Sequence, residues 1–236
     1  MRPKQTRKFT VPCRRSPSGE RERADCGARS VPGLESETHV EHRFKKFVEP
    51  PWTAPLDVAA VLRSVPENAS ISGMFLDPLA ELGRLRSDPL PSARERYTQF
   101  RFYPLREHVN LLLETCARHY AALPLRQALR KLGRAAPTAL VQSTIGRVML
   151  NSATGVEESV RAMAKTYALN IRPGTVTPVE FGRGYGILRL EDIHYFLDSH
   201  HVGSFEGILK FAGAQGTVRI CSYSATSADL LCTWSA

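Results

Sequence analysis

The chain has 236 residues, 42% of them hydrophobic, and a formal net charge of +9. That length suffices for one well-filled core with an appended tail, and no apolar run approaches the roughly 18 residues of a membrane-spanning helix, so a spanning helix is excluded. The charge does not define a nucleic-acid-binding domain, because residues 1–48 hold 12 of the 32 lysines and arginines but only 6 of the 23 acidic residues. The remainder is nearly balanced, whereas nucleic-acid recognition requires a basic face on the folded domain.

Residues 1–48 read as a disordered basic leader, rich in Arg, Ser, Pro and Gly and poor in the apolar residues that would offset ordering entropy. The segment suits an interaction arm or the product of a misplaced start. Its positive beginning lacks the apolar stretch of a signal peptide, which assigns the chain to the cytoplasm. The five cysteines, at 13, 26, 116, 221 and 232, form no CxxC pair and fit a reducing compartment. Cys116, Cys221 and Cys232 fall on apolar faces and read as small buried hydrophobes.

Residues 49–236 form the expected single domain. A linker through Pro50-Pro51 leads to a short amphipathic helix over 55–65, stopped by Pro66. Residues 69–76 suit a strand or the approach to a helix over 78–86. The strongest helical signal begins at Pro104, with Leu105, Val109, Leu112, Leu113, Cys116 and Tyr120 recurring at three- and four-residue spacing through His119. A further helix opens after Pro124 and takes Gly133 as its stop. Two more cover 138–150 and 156–167. Beyond them the period changes. Strands over 175–181 and 185–190 flank Gly182-Arg183-Gly184, a hairpin signal. A helix over 201–211 carries Val202, Phe205, Ile208 and Leu209 on one side. Alternating strands follow around Val218 and Ile220 and around Leu230, Cys232 and Trp234. Helices first and an antiparallel sheet afterwards define an α+β fold: N-terminal helices packed on a small C-terminal antiparallel sheet with an inserted helix.

His194, His200 and His201 lack the spacing of a metal pair, because adjacent histidines leave a helix in different directions. One of His200 and His201 is expected inside and the other exposed, and no metal is expected. Gly203-Ser204-Phe205-Glu206-Gly207 fails as a nucleophile elbow, since Phe205 holds the central position. Gly203 and Gly207 instead let their helix lie close to another backbone or a ligand, with Glu206 exposed. Gly182-Arg183-Gly184-Tyr185-Gly186 leads into a strand rather than a helix, which excludes a dinucleotide loop. The basic and aromatic mixture of residues 93–103 matches a single-strand nucleic-acid surface or, more simply, a partly buried entry to the long helix. No catalytic residue is assigned.

Taken as a set, Val65-Pro66 with Ser72-Gly73-Met74-Phe75, Tyr103-Pro104-Leu105-Arg106, residues 127–134, Gly146-Arg147-Val148-Met149, residues 195–207 and 230–234 resemble a paralogous family of uncharacterised myxobacterial proteins, over roughly residues 55–235. That resemblance implies no activity. More distantly, the helix with Gly203 and Gly207 followed by two strands is similar to four-vinyl-reductase-type and haem-nitric-oxide-binding small-ligand domains. Those folds place helices against a small antiparallel sheet. The Tyr-x-Ser-x-Arg haem-contact pattern and the cysteine-rich ending are absent, so the resemblance implies a ligand-holding fold without haem.

The expected function is a non-enzymatic sensory or adaptor domain. It would hold a small apolar ligand between helices and sheet, or use a homodimer or protein-partner face, with Tyr185, His201, Gly203, Phe205, Gly207 and Trp234 as pocket or interface contributors. No cofactor and no membrane partner is expected. The alternatives are nucleic-acid association through the basic arm, and an enzyme using His200 or His201 as general base.

Overall fold

The structure is a computed structural model and describes residues 44–142 and 144–235. Helix α1 (Val58–Ser64) starts at Asp57, whose carboxylate accepts the Ala60 N–H at 2.8 Å and so satisfies a first-turn donor. Strand β1 (Ser70–Ser72) runs directly into α2 (Gly73–Leu85). The sequence places that helix at 78–86 because Pro favours a first turn. The helix begins earlier because Met74, Leu76 and Ala80 make a buried stripe, and tertiary packing outweighs the preference of Pro78. Strand β2 (Phe102–Pro104) leads into α3 (Leu105–His119), where Leu105, Val109, Leu112 and Cys116 are buried at the expected spacing. Helices α4 (Leu125–Leu140), α5 (Thr144–Asn151) and α6 (Val156–Asn170) complete the helical half. Gly133 does not stop α4; it lies within it, and residues 138–140 finish α4 rather than begin the next helix.

Two sheets carry the strands. β3 (Ile171–Arg172) joins β1 and β2 in a small antiparallel sheet of order β2-β1-β3, too short to show any alternation in sequence. The larger sheet contains β4 (Thr175–Gly182), β5 (Tyr185–Glu191), β6 (Gln215–Ser222) and β7 (Ala228–Ser235) in the order β4-β5-β7-β6, antiparallel throughout. The β4–β5 hairpin turns at Gly184, whose φ of +77° suits glycine. Between β5 and β6 come a π-helical turn (Leu197–His201) and α7 (Val202–Phe211). The fold is α+β, as expected.

Alternation along the strands decides what each face does. Leu188, Leu190, Val218, Ile220, Leu230 and Cys232 are buried in the same core as Leu129, Met163 and Phe205, so the helices cover this side. On the other side Ile187 and Leu231 are buried by Phe47, with Phe44 and Tyr185 beside them. Val48 exchanges two backbone hydrogen bonds of 2.9 Å with Ile220, which satisfies part of the β6 edge. Residues 44–48 therefore belong to the folded body and not to the leader; residues 1–43 lie outside the described residues. Cys116 and Cys232 are buried and Cys221 is half-buried. No described helix is long and apolar enough to cross a membrane.

Candidate functional site

The unusual local structure lies between β5 and α7. Phe196 adopts the left-handed conformation (φ 39°, ψ 44°), rare for a large side chain. The His201 N–H then reaches back five residues to the Phe196 carbonyl at 3.3 Å, in a wide turn. Such single wide turns are frequent at functional sites. Here the turn is covered on both flanks, so His200 and His201 are both buried, with ring centres 5.6 Å apart. The expectation of one exposed histidine is thereby corrected.

His201 faces α6 and is satisfied. Its Nδ1 lies 3.3 Å from the Phe196 carbonyl, its Nε2 meets the Tyr167 hydroxyl, and Tyr167 lies 2.5 Å from the Tyr195 hydroxyl. Nδ1–H donating to the carbonyl leaves Nε2 to accept from Tyr167, which in turn accepts from Tyr195. Burial pushes the His201 pKa down to about 3, helped by neighbouring His200, and raises both tyrosines.

His200 faces α3, where it meets His108 at a ring separation of 6.2 Å; Tyr195 stands edge-on to His108 at 5.4 Å. Both His108 nitrogens, His200 Nδ1 and Ser199 Oγ are buried without a hydrogen-bond partner. Burial, reinforced by His200 and His201, holds the His108 pKa well below its ordinary value, and burial brings His200 to about 4. Both rings are therefore neutral at pH 7, each with one donor and one acceptor. A buried polar group left with no partner at all costs about 1–3 kcal/mol.

His108 and His200 line a cavity of about 150 Å³ whose other walls include Met74, Phe75 and Leu79 of α2, Leu112 of α3, and Ala139 and Leu140 of α4. No charged side chain lines it. A wider open groove of about 930 Å³ collects Lys131, Arg134 and Lys210 between α4 and α7.

The residues singled out from sequence do not gather at one place. His201 sits one residue from the cavity wall. Gly203 and Gly207 press against the α4 backbone: a Cβ would come within 2.9 Å of Arg130 C at Gly203 and within 2.5 Å of Arg134 O at Gly207. The neighbour they admit is another backbone. Gly133 answers from α4, where a Cβ would meet Ser204 N at 2.9 Å and the His200 carbonyl closer still. Phe205 is fully buried in the main core. Tyr185 is on the opposite sheet face, donating to Glu180 at 2.7 Å and packing edge-on against Phe44. Trp234 closes the end of β7 with its backbone N–H on the Gly184 carbonyl at 2.8 Å.

Glu206, expected exposed, is buried: Arg130 grips it through Nε at 2.8 Å and Nη2, and Arg134 Nε lies at 2.6 Å. Its partners are two arginines one turn apart on α4, which cover the carboxylate. Trp52 stacks on Arg130 at 3.7 Å, and one turn back Arg126 pairs with Asp198 of the π turn. In the 93–103 segment Tyr97 and Tyr103 are buried, and Arg94 makes two 2.8 Å bonds to Glu107. His108, Tyr167 and Tyr195 did not stand out in sequence. The signal available for His108 was a titratable ring among the buried Leu105, Val109 and Leu112.

In fold the chain is similar to H-NOX domains. An H-NOX protein from S. oneidensis in the Fe(II)NO state shares 10% identity over 70% of this chain and 100% of its own, with a TM-score of 0.56. The Fe(II) unliganded H-NOX protein from K. algicida shares 11% over 70% and 97%, TM-score 0.53. The H-NOX domain from Shewanella oneidensis in the Fe(II)CO state shares 11% over 70% and 99%, TM-score 0.53. The architecture is thus that of an H-NOX-like α+β domain. The chain belongs to the protein family of unknown function DUF2378, whose profile matches residues 67–235. No curated protein matches it in sequence.

The residues present do not fit a haem. A haem needs an axial ligand facing a broad slot, and cofactor pockets span about 300–1,000 Å³. The space before His108 and His200 is about 150 Å³, while the potential ligand His201 is committed to Tyr167 and Phe196. Among the described residues no cluster of three or more His, Cys, Asp or Glu is placed to hold a metal ion.

Proposed function

We propose that this protein is a non-enzymatic sensory domain whose signal is the occupancy, by one small molecule, of the cavity between α2, α3 and α4. The observation that carries this reading is the pair His108 and His200, both buried, both with unpartnered nitrogens, and both lining the same apolar cavity. A bound molecule with hydrogen-bonding capacity would relieve a cost already present in the fold. Apolar walls with a few converging polar groups are the usual make-up of a small-ligand site. A base–carboxylate pair would favour catalysis instead, and neither His200 nor His201 touches a carboxylate.

The same turn supplies an output. His200 lies two residues from Asp198, which pairs with Arg126 of α4, and the turn continues directly into α7, whose Glu206 holds Arg130 and Arg134. Movement of His200 on binding is transmitted along these ion pairs to the α4–α7 surface beside Trp52.

The test is ligand-observed NMR on the full-length protein against uncharged molecules of six to eight non-hydrogen atoms, with native mass spectrometry for co-purified occupants. One-to-one binding that shifts the His108 and His200 ring resonances is expected. Absence of any bound member, together with an unadorned native mass, removes the proposal.

A further inference from the structure

We propose that the open groove between α4 and α7 is a docking site for an acidic amphipathic helix of a partner protein. Binding there does not require the His108–His200 cavity to hold a ligand, and it goes beyond the sensory role proposed above.

The charge of the surface points to the partner's sign. Helix α4 carries Arg126, Arg130, Lys131 and Arg134 and no carboxylate of its own. Arg126 pairs with Asp198, while Arg130 and Arg134 share the single carboxylate of Glu206. Lys131, Arg134 and Lys210 are exposed and line the groove, where Glu206 is the one carboxylate among the described lining residues. Lys131 rests over the Tyr120 ring at 5.1 Å, but neither lysine has an ion-pair partner among the described residues. An occupant bearing carboxylates completes these pairs, whereas a basic one is repelled.

The shape points to a helix. Gly133, Gly203 and Gly207 bring α4 and α7 into backbone contact. Beside that seam α4 presents Ala135, Thr138 and Ala139, side chains too short to fill the gap. Ala139, Phe211 and Ala214 give the groove a half-buried apolar lining. Its volume of about 930 Å³ is that of about two turns of a helix roughly 10 Å across. Lys131 and Arg134 stand on the α4 side and Lys210 on the α7 side, so cations border the apolar lining on both walls. A helix whose apolar stripe is flanked by Asp or Glu on each side is the complement.

Other occupants fit less well. The chain's own residues 1–48 hold 12 basic and 6 acidic groups, and Phe44 and Phe47 lie on the sheet face opposite α7. A second copy offers no free acidic helix face. Asp77 and Glu81 pair with Arg84, Glu107 with Arg94 and Glu157 with Arg161, while Glu114 and Glu158 accept backbone N–H groups. A nucleic acid brings phosphates but no apolar stripe to cover Ala139 and Phe211.

The test uses the full-length protein and a capped peptide of about 15 residues, with Leu at i, i+3, i+4 and i+7 and Glu on both borders. Fluorescence anisotropy gives its affinity, and amide chemical shifts give its location. One-to-one binding that shifts the amides of Ala135, Ala139 and Phe211 is expected. It weakens by about tenfold or more when the glutamates become lysines or the leucines become serines, and it weakens as salt is raised. Both groove lysines are exposed, so joint Lys131→Glu and Lys210→Glu substitution keeps the fold; the Glu peptide then loses about tenfold or more and the Lys peptide gains. No binding of the Glu peptide, equal binding of the Lys peptide, or shifts away from α4 and α7 overturns the proposal. Tighter binding of single-stranded DNA at the same amides overturns it in favour of nucleic acid, and a dimer abolished by the double variant overturns it in favour of self-association. None of these outcomes changes the occupancy of the His108–His200 cavity, which its own test decides.

Discussion

Replacing Gly133 by alanine separates local propensity from tertiary packing, because the two predict opposite signs. Gly133 is mid-way along α4, and at an exposed helix interior Gly→Ala gains about 1 kcal/mol. In this fold the added methyl would sit 2.9 Å from Ser204 N and 3.1 Å from Gly203 C, and closer still to the His200 carbonyl, where ordinary contacts are 3.4–4 Å. Every one of these atoms is backbone, so no side chain can rotate away and α4 and α7 must separate. Overpacking of this kind costs about 1–3 kcal/mol, and the loss is raised here because Gly203 and Gly207 seat the same pair of helices. At the upper end of that range, a net destabilisation of about 2 kcal/mol is expected after the propensity gain, lowering Tm by roughly 4–8 °C for a domain of this size. Urea unfolding followed by far-ultraviolet circular dichroism measures it, with His200 ring resonances reporting the shift of the π turn. An unchanged or raised midpoint for Gly133→Ala would refute the backbone-on-backbone contact. Gly155→Ser supplies the converse control. Gly155 is the N-cap of α6 with no atom within 4 Å of an added Cβ, and a gain of a few tenths of a kcal/mol is expected.

The buried histidines make stability depend on pH. His200 titrates near 4 in the fold and near 6.5 when unfolded, and His108 is lowered in the same sense, so below pH 6.5 the unfolded chain binds protons that the fold refuses. Stability is full above pH 6.5 and is lost as pH falls toward 4, by about 1.4 kcal/mol per unit per group; urea midpoints equal at pH 7.5 and 5.0 would contradict this. Glu206→Gln removes the charge that Arg130 and Arg134 share. With both arginines partly solvated, a loss of about 1–3 kcal/mol is expected, less than for a fully buried pair, read from the same denaturation curves. Phe47→Ala uncovers Ile187 and Leu231 and should cost about 3 kcal/mol without moving the His108 or His200 resonances, since it acts on the far face of the sheet.

Much of the fold was legible because each element carries its own burial pattern. Leu105, Val109, Leu112 and Cys116 announce α3, and Leu188 and Leu190 with Leu230 and Cys232 announce paired strands. The turn at Gly184 follows from residue type alone. Boundaries failed where two tendencies competed: Pro78 argued for a later start of α2, and Gly133 for an early end of α4. Strands β1, β2 and β3 were too short for alternation to register, apart from the approach into α2. The candidate site was only half visible. Of the residues expected at the site, His201, Gly203, Phe205 and Gly207 share one turn and helix, but Tyr185 and Trp234 lie elsewhere, and His108 and Tyr167 come from helices recognised only as amphipathic.

The chain's periodicity, composition and turn residues determine by themselves the α+β class, the order of the longer elements and most of their core stripes, because all of these depend on neighbours a few positions away. The tertiary structure alone decided that Gly133, Gly203 and Gly207 interlock two helices, that Glu206 is buried beneath two arginines, and that His108 and His200 share an unsatisfied cavity. These features join residues such as Arg130 and Glu206, 76 positions apart. Whether a polar group finds a partner is a property of the two surfaces that meet, and neither surface carries that information alone.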